Sequence, residues 1–282
     1  MRRRLLFDAV AKVAVYLLAL LALVPLGLVL YYVASKGLSA ALDPSFYLNS
    51  FRPIGIPGAG INHAIWGTVI IVGLASLMAL PVGVVGGVYL TEYAPDRWAG
   101  WVRLAADVMV ATPSIAMGLF IYALLDAPFH HFSGYSGSVA LAILMLPVVI
   151  RTTEAALLLV PAGIREAGLA LGLPRWRVAL QLVLRAGMPG VVTGCLLSVA
   201  RAAGETAPLL FTAFGNQRLN LDPNGPMMAL PLVVYKYALT PYPDLQRQAW
   251  GAGLVLVVLI LIVNVGSRLV LRRQIALARR LQ

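Results

Sequence analysis

The sequence holds one cysteine, Cys195, in 282 residues. A single thiol builds neither an intrachain disulfide nor a cysteine metal cluster, so no such staple shapes the fold. Cys195 lies inside a long apolar stretch and reads as a small packing residue. Charge is also scarce. Asp, Glu, Lys and Arg together make 12% of the chain, where a soluble domain averages about 25%. Histidine occurs three times and never after His131. The adjacent pair His130-His131 on a loop is poor evidence for a metal, and no metal site is expected. There is no G-x-x-x-x-G-K-[ST] stretch, so no P-loop binds ATP here. No cofactor is expected on this chain, and any ATPase must be a separate polypeptide.

What the chain has in place of charge is apolar length. No Asp, Glu, Lys or Arg occurs in 13–35, 53–91, 108–125 or 248–267. Each run is near or above the roughly 18 to 20 residues that cross a hydrocarbon core. A further charge-free run, 127–150, begins as loop around His130 and GYSGS, which leaves Arg151 near an interface. With the long stretch around Arg201, the pattern predicts six membrane helices, at about 14–34, 64–88, 104–125, 136–153, 188–213 and 248–268. The fold class expected is all-α and polytopic, one membrane domain over 1–282. MRRR followed by an apolar run resembles a signal peptide, but a signal's apolar core spans only about 7 to 15 residues. The first run is longer and reads as an uncleaved helix.

The net charge of +11 raises the question of nucleic acid, and its distribution answers it. With the N-terminus inside, 16 Lys and Arg fall on the inner side and five on the outer, with Arg201 inside the membrane. That asymmetry follows the positive-inside rule and puts both termini in the cytoplasm. The basic tails are anchors at an anionic leaflet of membrane lipid rather than a nucleic-acid site. The outer segments, about 35–63 and 214–247, carry turn signals such as RPIGIPGAG, DPNGP and TPYPD. Small residues crowd VGVVGGV at 82–88 and MPGVVTG at 188–194, as close helix packing requires.

The inner segment from about 154 to 186 is too polar to span and too apolar to be a free linker. Pro161 and Gly172-Leu173-Pro174 divide it into short helical pieces, and Pro174 suits the first turn of the next helix. Ile164, Ala167, Gly168 and Leu171 share one helical face by spacing. Such a helix either lies on lipid or docks on a cytoplasmic partner.

Glu166-Ala167-Gly168, then Gly172, then Leu182 and Leu184 resembles the EAA loop of ATP-binding-cassette (ABC) importer permeases. Gly168 replaces the second alanine of that motif, and Arg185 stands where a proline is usual. Glu154-Ala155-Ala156 is a decoy, without a glycine at the required distance. The resemblance extends to YLTEYAPDR at 89–97, TPSIAMGLF at 112–120, ARAAGETAPLLFTAFGN at 200–216 and Ala229-Leu230-Pro231. These segments are similar to phosphate-specific permeases of the A type. The sister C type shares the Arg and Gly-Glu-Thr pattern but not the LLFTAFGN continuation. The resemblance implies a six-helix MetI-like permease fold in a prokaryotic cell membrane. It implies a second permease of C type, two ATP-binding subunits and an extracytoplasmic phosphate-binding protein as partners. It assigns Glu166, Ala167, Gly168 and Gly172 to coupling with the ATPase.

Arg201 and Glu205 are the charges that an apolar segment has to justify. A charge at mid-bilayer costs about 2.5 to 3.5 kcal/mol on insertion scales. Four residues apart on a helix, the two can pair, and Gly194, Ser198 and Pro208 share their face. One reading is a structural ion pair that locks two helices. The other is a pathway station: Arg201 offers a planar fork of donors to a tetrahedral oxyanion, Glu205 positions it, and Ser198 lines the path. Thr112 and Ser114 beside Pro113 either line the path or satisfy carbonyls that the proline frees. Arg103 and Asp107 read as a pair near the inner interface.

Other functions compete. An ABC permease for sulfate or molybdate fits the same charges. An ion-coupled carrier with Glu205 as proton relay explains the charges but not the EAA-like loop. Gly134-Tyr135-Ser136-Gly137 matches the G-x-S-G of rhomboid-type proteases, but no later histidine supplies the base a serine nucleophile needs.

Overall fold

The computed structural model describes residues 2–280, with side chains described over 11–266. In chain order the helices are α1 (Arg2–Ala41), α2 (Pro44–Leu48), α3 (Asn62–Glu92), α4 (Asp96–Ala111), α5 (Ser114–Asp126), α6 (Gly134–Leu158), α7 (Ala162–Ala170), α8 (Arg175–Gly204), α9 (Ala207–Phe211), α10 (Leu230–Ala238) and α11 (Pro243–Arg280). Five of these, α1, α3, α6, α8 and α11, are long and apolar enough to cross a membrane. The pair α4 and α5 makes a sixth candidate, bent by 97° at its break.

The expected spans are present with two changes. The third is not one helix over 104–125. Thr112 precedes Pro113 and is forced into an extended conformation, φ −68° and ψ 132°, because a proline ring clashes with a helical residue before it. The Thr112 hydroxyl donates to Val108 O at 2.9 Å, the carbonyl that its own backbone N–H also reaches at 3.0 Å. The fifth span does not run over 188–213. It begins at Arg175 and ends at Gly204, with Glu205 extended at φ −72° and ψ 126°. Pro174 caps α8 from just before its first turn. The outer segment 214–247, read as loop, contains α10 and the start of α11.

The core of the bundle is α3 against α6 and α6 against α8. Both seams are built on the small residues that crowd these spans. A Cβ on Gly83 would stand 2.6 Å from Val149, and one on Gly87 2.5 Å from Thr153. On the other side of α6, a Cβ on Gly187, Gly190 or Gly194 would meet Leu157, Ala156 or Thr152 within 2.7 Å. Backbones this close gain dispersion along their whole length, the main attraction left when lipid is as apolar as the side chains. Gly67 extends the packing to the other end of α3, where a Cβ would lie 1.8 Å from Met228 O.

α1 is peripheral. No residue in its most apolar window is buried, and its chief partner is α11, where Gly37 lies against Trp250 O and Leu254. The segment 49–62 folds back on itself at the end of the molecule opposite α7. Asn49 Nδ2 donates to Gly58 O at 2.8 Å and Asn62 Nδ2 to Tyr47 O at 2.9 Å.

Candidate functional site

Two groups of residues carry the expected chemistry, one at mid-depth and one at the α7 end. Arg201, Glu205 and Ser198 line one small pocket with Ala202 of α8 and Leu144 and Met145 of α6. Residues 144 and 145 fall near the middle of the 25-residue α6, so Arg201 stands at mid-depth. Its Nε lies 3.5 Å from Glu205 Oε1. The Arg201 side chain is 57% exposed and that of Glu205 21%. Ser198 is buried and turned to α6, its hydroxyl 3.5 Å from Met145 O. The small-residue face of α8, Gly194 and Ser198, therefore seats against α6, and Arg201 emerges one turn beyond the seam. Pro208 does not share that face. The helix stops at Gly204, and Pro208 belongs to α9, where it packs on Gly118 of α5.

At the other site, α7 lies between the end of α6 and the start of α8. Its terminus is set by Gly172 at φ +76°, a left-handed conformation that costs other residues about 1–2 kcal/mol. Gly172 N–H donates to Leu169 O at 2.9 Å and Leu173 N–H to Gly168 O at 3.2 Å, which closes the last turn. A Cβ at Gly172 would meet nothing of this chain within 4 Å, so within the chain this glycine serves the backbone. Gly168 is the reverse case. It is buried, and a Cβ there would stand 2.6 Å from Leu182 and 3.0 Å from Val178. Glu166 and Ala167 are exposed. The inner face of α7 is Ile164, Arg165 and Gly168, not the expected set with Ala167 and Leu171. Leu171 is 81% exposed.

Sequence reasoning missed Arg165 and Glu92. Arg165 Nη2 lies 2.8 Å from Glu92 Oε1 at the end of α3. The same guanidinium donates to Val160 O at 2.8 Å and Leu157 O at 3.0 Å. One side chain thus clamps α7 to the ends of α3 and α6. A second network joins α4 to α6. Glu154, nearly fully buried, accepts from Arg103 Nε at 2.6 Å and Arg151 Nη1 at 2.9 Å, and Arg151 Nε lies 3.3 Å from Asp107. Arg103 and Asp107 therefore bind α6 partners in place of the expected mutual pair. The decoy Glu154 is a core anchor. Ser136 of the G-x-S-G stretch is 1% exposed and donates to Asp126 Oδ1 at 2.8 Å, a structural serine closed to any substrate.

This is the fold of an ABC importer's membrane subunit. An inward-facing structure of the MetNI methionine ABC transporter, in its CY5 native crystal form, superposes with a TM-score of 0.62 at 18% identity. The match covers 74% of this chain and 94% of that one. A second inward-facing MetNI structure, from a selenomethionine-soaked crystal, gives 0.59 at 19% identity over 76% and 94%. Residues 79–276 match the family described as the binding-protein-dependent transport system inner membrane component, and the chain belongs to that family. It is a multi-pass membrane transport component, not an enzyme. The phosphate transport system permease protein PstA of Haemophilus influenzae is 41% identical over 242 residues, 86% of this chain and 85% of that protein. PstA of Xylella fastidiosa strain Temecula1 is 40% identical over 277 residues, 96% and 95%. PstA of Yersinia pestis is 38% identical over 247 residues, 87% and 83%.

Proposed function

We propose that this chain is one permease half of an ATP-driven inorganic phosphate importer. The observation that carries the reading is a guanidinium at mid-depth, more than half exposed, in a chain whose relatives are phosphate permeases. A structural lock would bury its arginine in the seam, and the α6–α8 seam is already closed by Gly187, Gly190 and Gly194. Arg201 faces outward beside that seam, toward the place a second permease of C type would occupy. The pathway runs between the two subunits. Arg201 receives phosphate through its fork of donors. Glu205, at 3.5 Å, aims the guanidinium and weakens its grip, since conduction needs release as much as binding. Ser198 holds the α8 backbone to α6 beneath them.

The α7 end faces the cytoplasm with both termini, as the Lys and Arg distribution supports. There the exposed face with Glu166 and Ala167 docks on one of two ATP-binding subunits, while Gly168 fixes α7 to α8 and Gly172 ends it. An extracytoplasmic phosphate-binding protein delivers substrate at the opposite end. No cofactor is held on this chain.

The test is labelled-phosphate uptake per assembled complex in cells lacking other phosphate transporters. Arg201→Gln should abolish uptake with little loss of assembly. Removing Arg201 leaves Glu205 without its partner, so the double variant Arg201→Gln, Glu205→Gln is the control. In a mere lock the loss would come from leaving one charge without its partner, so such a lock would work again once both charges are gone. Near-normal uptake by the double variant would end the assignment. Arg201→Lys, which keeps charge without the fork, should retain part of the activity. Equal competition by sulfate or molybdate would redirect the substrate. Uptake that survives ATP depletion but collapses with an uncoupler would favour an ion-coupled carrier.

A further inference from the structure

The end of the molecule opposite α7 carries an open pocket of about 450 Å³ between the segment after α9 and the end of α10. Its polar lining comes from Asn216, Gln217, Arg218, Lys236, Tyr237 and Thr240. Two of these are cations, and no carboxylate lines the pocket. Neither Lys236 nor Arg218 takes part in an ion pair among the described residues. Arg103, Arg151, Arg165 and Arg201, by contrast, have carboxylate partners.

The position of Lys236 is fixed by its surroundings. Its ammonium donates to Phe214 O and stands 4.8 Å from the centroid of the Phe214 ring. Phe214 has φ +57° and stacks on Phe132 at 4.4 Å, with Tyr122 stacked beyond at 5.8 Å. An ammonium has three protons, and the carbonyl takes one. Burial pushes the Lys236 pKa down, a penalty on the cation that a nearby anion would relieve. The Tyr237 hydroxyl is buried, makes no hydrogen bond of ordinary geometry, and has Gln217 as a polar neighbour. A lysine in the last turn of a helix favourably faces the helix dipole. That accounts for Lys236 alone, and not for Arg218 arriving at the same pocket from a different segment.

We propose that this pocket is a reception site for the transported oxyanion, in which Lys236 and Arg218 supply charge and the adjoining hydroxyl and amide groups supply donors. The chain connects it to the mid-depth station through α9 alone, since Glu205 precedes that helix and Phe214 follows it. The proposal rests on the import reading above, in that it takes the transported anion to be phosphate. An anion entering here finds positive charge before it reaches Arg201, and clefts of one sign raise the local concentration of the opposite ion.

The test places a thiol in the pocket of the whole complex in intact cells, as Thr240→Cys on a Cys195→Ser background. The thiol is modified from outside by two membrane-impermeant methanethiosulfonates, one anionic and one cationic. The anionic reagent should react about fivefold to tenfold faster, relative to its rate with a free thiol, as two unit charges a few ångströms away imply in a wet pocket. Adding Lys236→Gln and Arg218→Gln should erase that preference and lower uptake per assembled complex. Millimolar phosphate should slow modification, and should still do so with Arg201→Gln. Equal rates for the two reagents would overturn the site, as would a preference that persists without Lys236 and Arg218. A preserved anion preference with protection by sulfate or molybdate, and none by phosphate, would keep the reception site and overturn the phosphate reading instead.

Discussion

Arg165→Met should loosen α7 from the bundle and uncouple transport from ATP hydrolysis. The structure sets the size of the effect. The guanidinium bonds Glu92 through Nε at 3.0 Å and Nη2 at 2.8 Å, and it also reaches the Val160 and Leu157 carbonyls. Hydrogen bonds involving a charged group contribute about 1.5–3 kcal/mol each. These four share one side chain and are not additive. The Arg165 side chain is also 25% exposed, and Glu92 11%, so water takes back part of the loss. About 3 kcal/mol is a fair total, roughly a hundredfold shift in the ratio of undocked to docked α7 at 1.4 kcal/mol per decade. Ile164 and Gly168 keep the helix tethered, so the complex should still assemble. The assay joins labelled-phosphate uptake to ATP hydrolysis. A nitroxide on Ala170→Cys, in the Cys195→Ser background, reports α7 mobility. Uptake should fall severalfold while hydrolysis persists, and the nitroxide spectrum should sharpen. Arg165→Lys, a single-point donor, should fall between. Parental mobility together with parental coupling in Arg165→Met would refute the clamp.

Gly172→Ala should destabilise the end of α7 by about 1 kcal/mol, because only its positive φ is at stake, and Gly172→Asn should cost less. A coupling defect would then track backbone compatibility rather than side-chain bulk, which uptake across Ala, Asn and Glu at 172 would show. In the α4–α6 network, Arg103→Gln leaves Glu154 with Arg151 and should cost about 1–2 kcal/mol, whereas removing both arginines strands a buried carboxylate at about 3–5 kcal/mol. Thermal stability of the purified complex should drop more for the pair than the two single losses combined.

The sequence made the spans legible because a run without charge over twenty residues has few homes besides a bilayer. It also made the packing seams legible, since the glycines of 82–88 and 188–194 sit where backbones touch. It misplaced what depends on a local backbone break. Thr112 and Glu205 interrupt helices whose hydropathy continues unbroken, so the pattern alone merges α4 with α5 and puts Pro208 on the face of Arg201. Pairing across the fold was the other blind spot. Arg103 and Asp107 are four apart and look like partners, yet each binds α6. Glu92 and Arg165 are 73 residues apart, and no periodicity connects them. Lys236 and Arg218 are hidden for the same reason, since each is an ordinary outer cation until the fold brings them to one pocket.

The seam between α1 and α11 joins the first and last of the spans among the described residues. During synthesis α1 enters the membrane before α11 is made, so until then the flank that meets α11 faces lipid. A ribosome stalled before α11 would leave an inserted but unclosed bundle, with the Gly37 notch empty of Trp250 and Leu254. That vacancy distinguishes the unclosed bundle from the closed one.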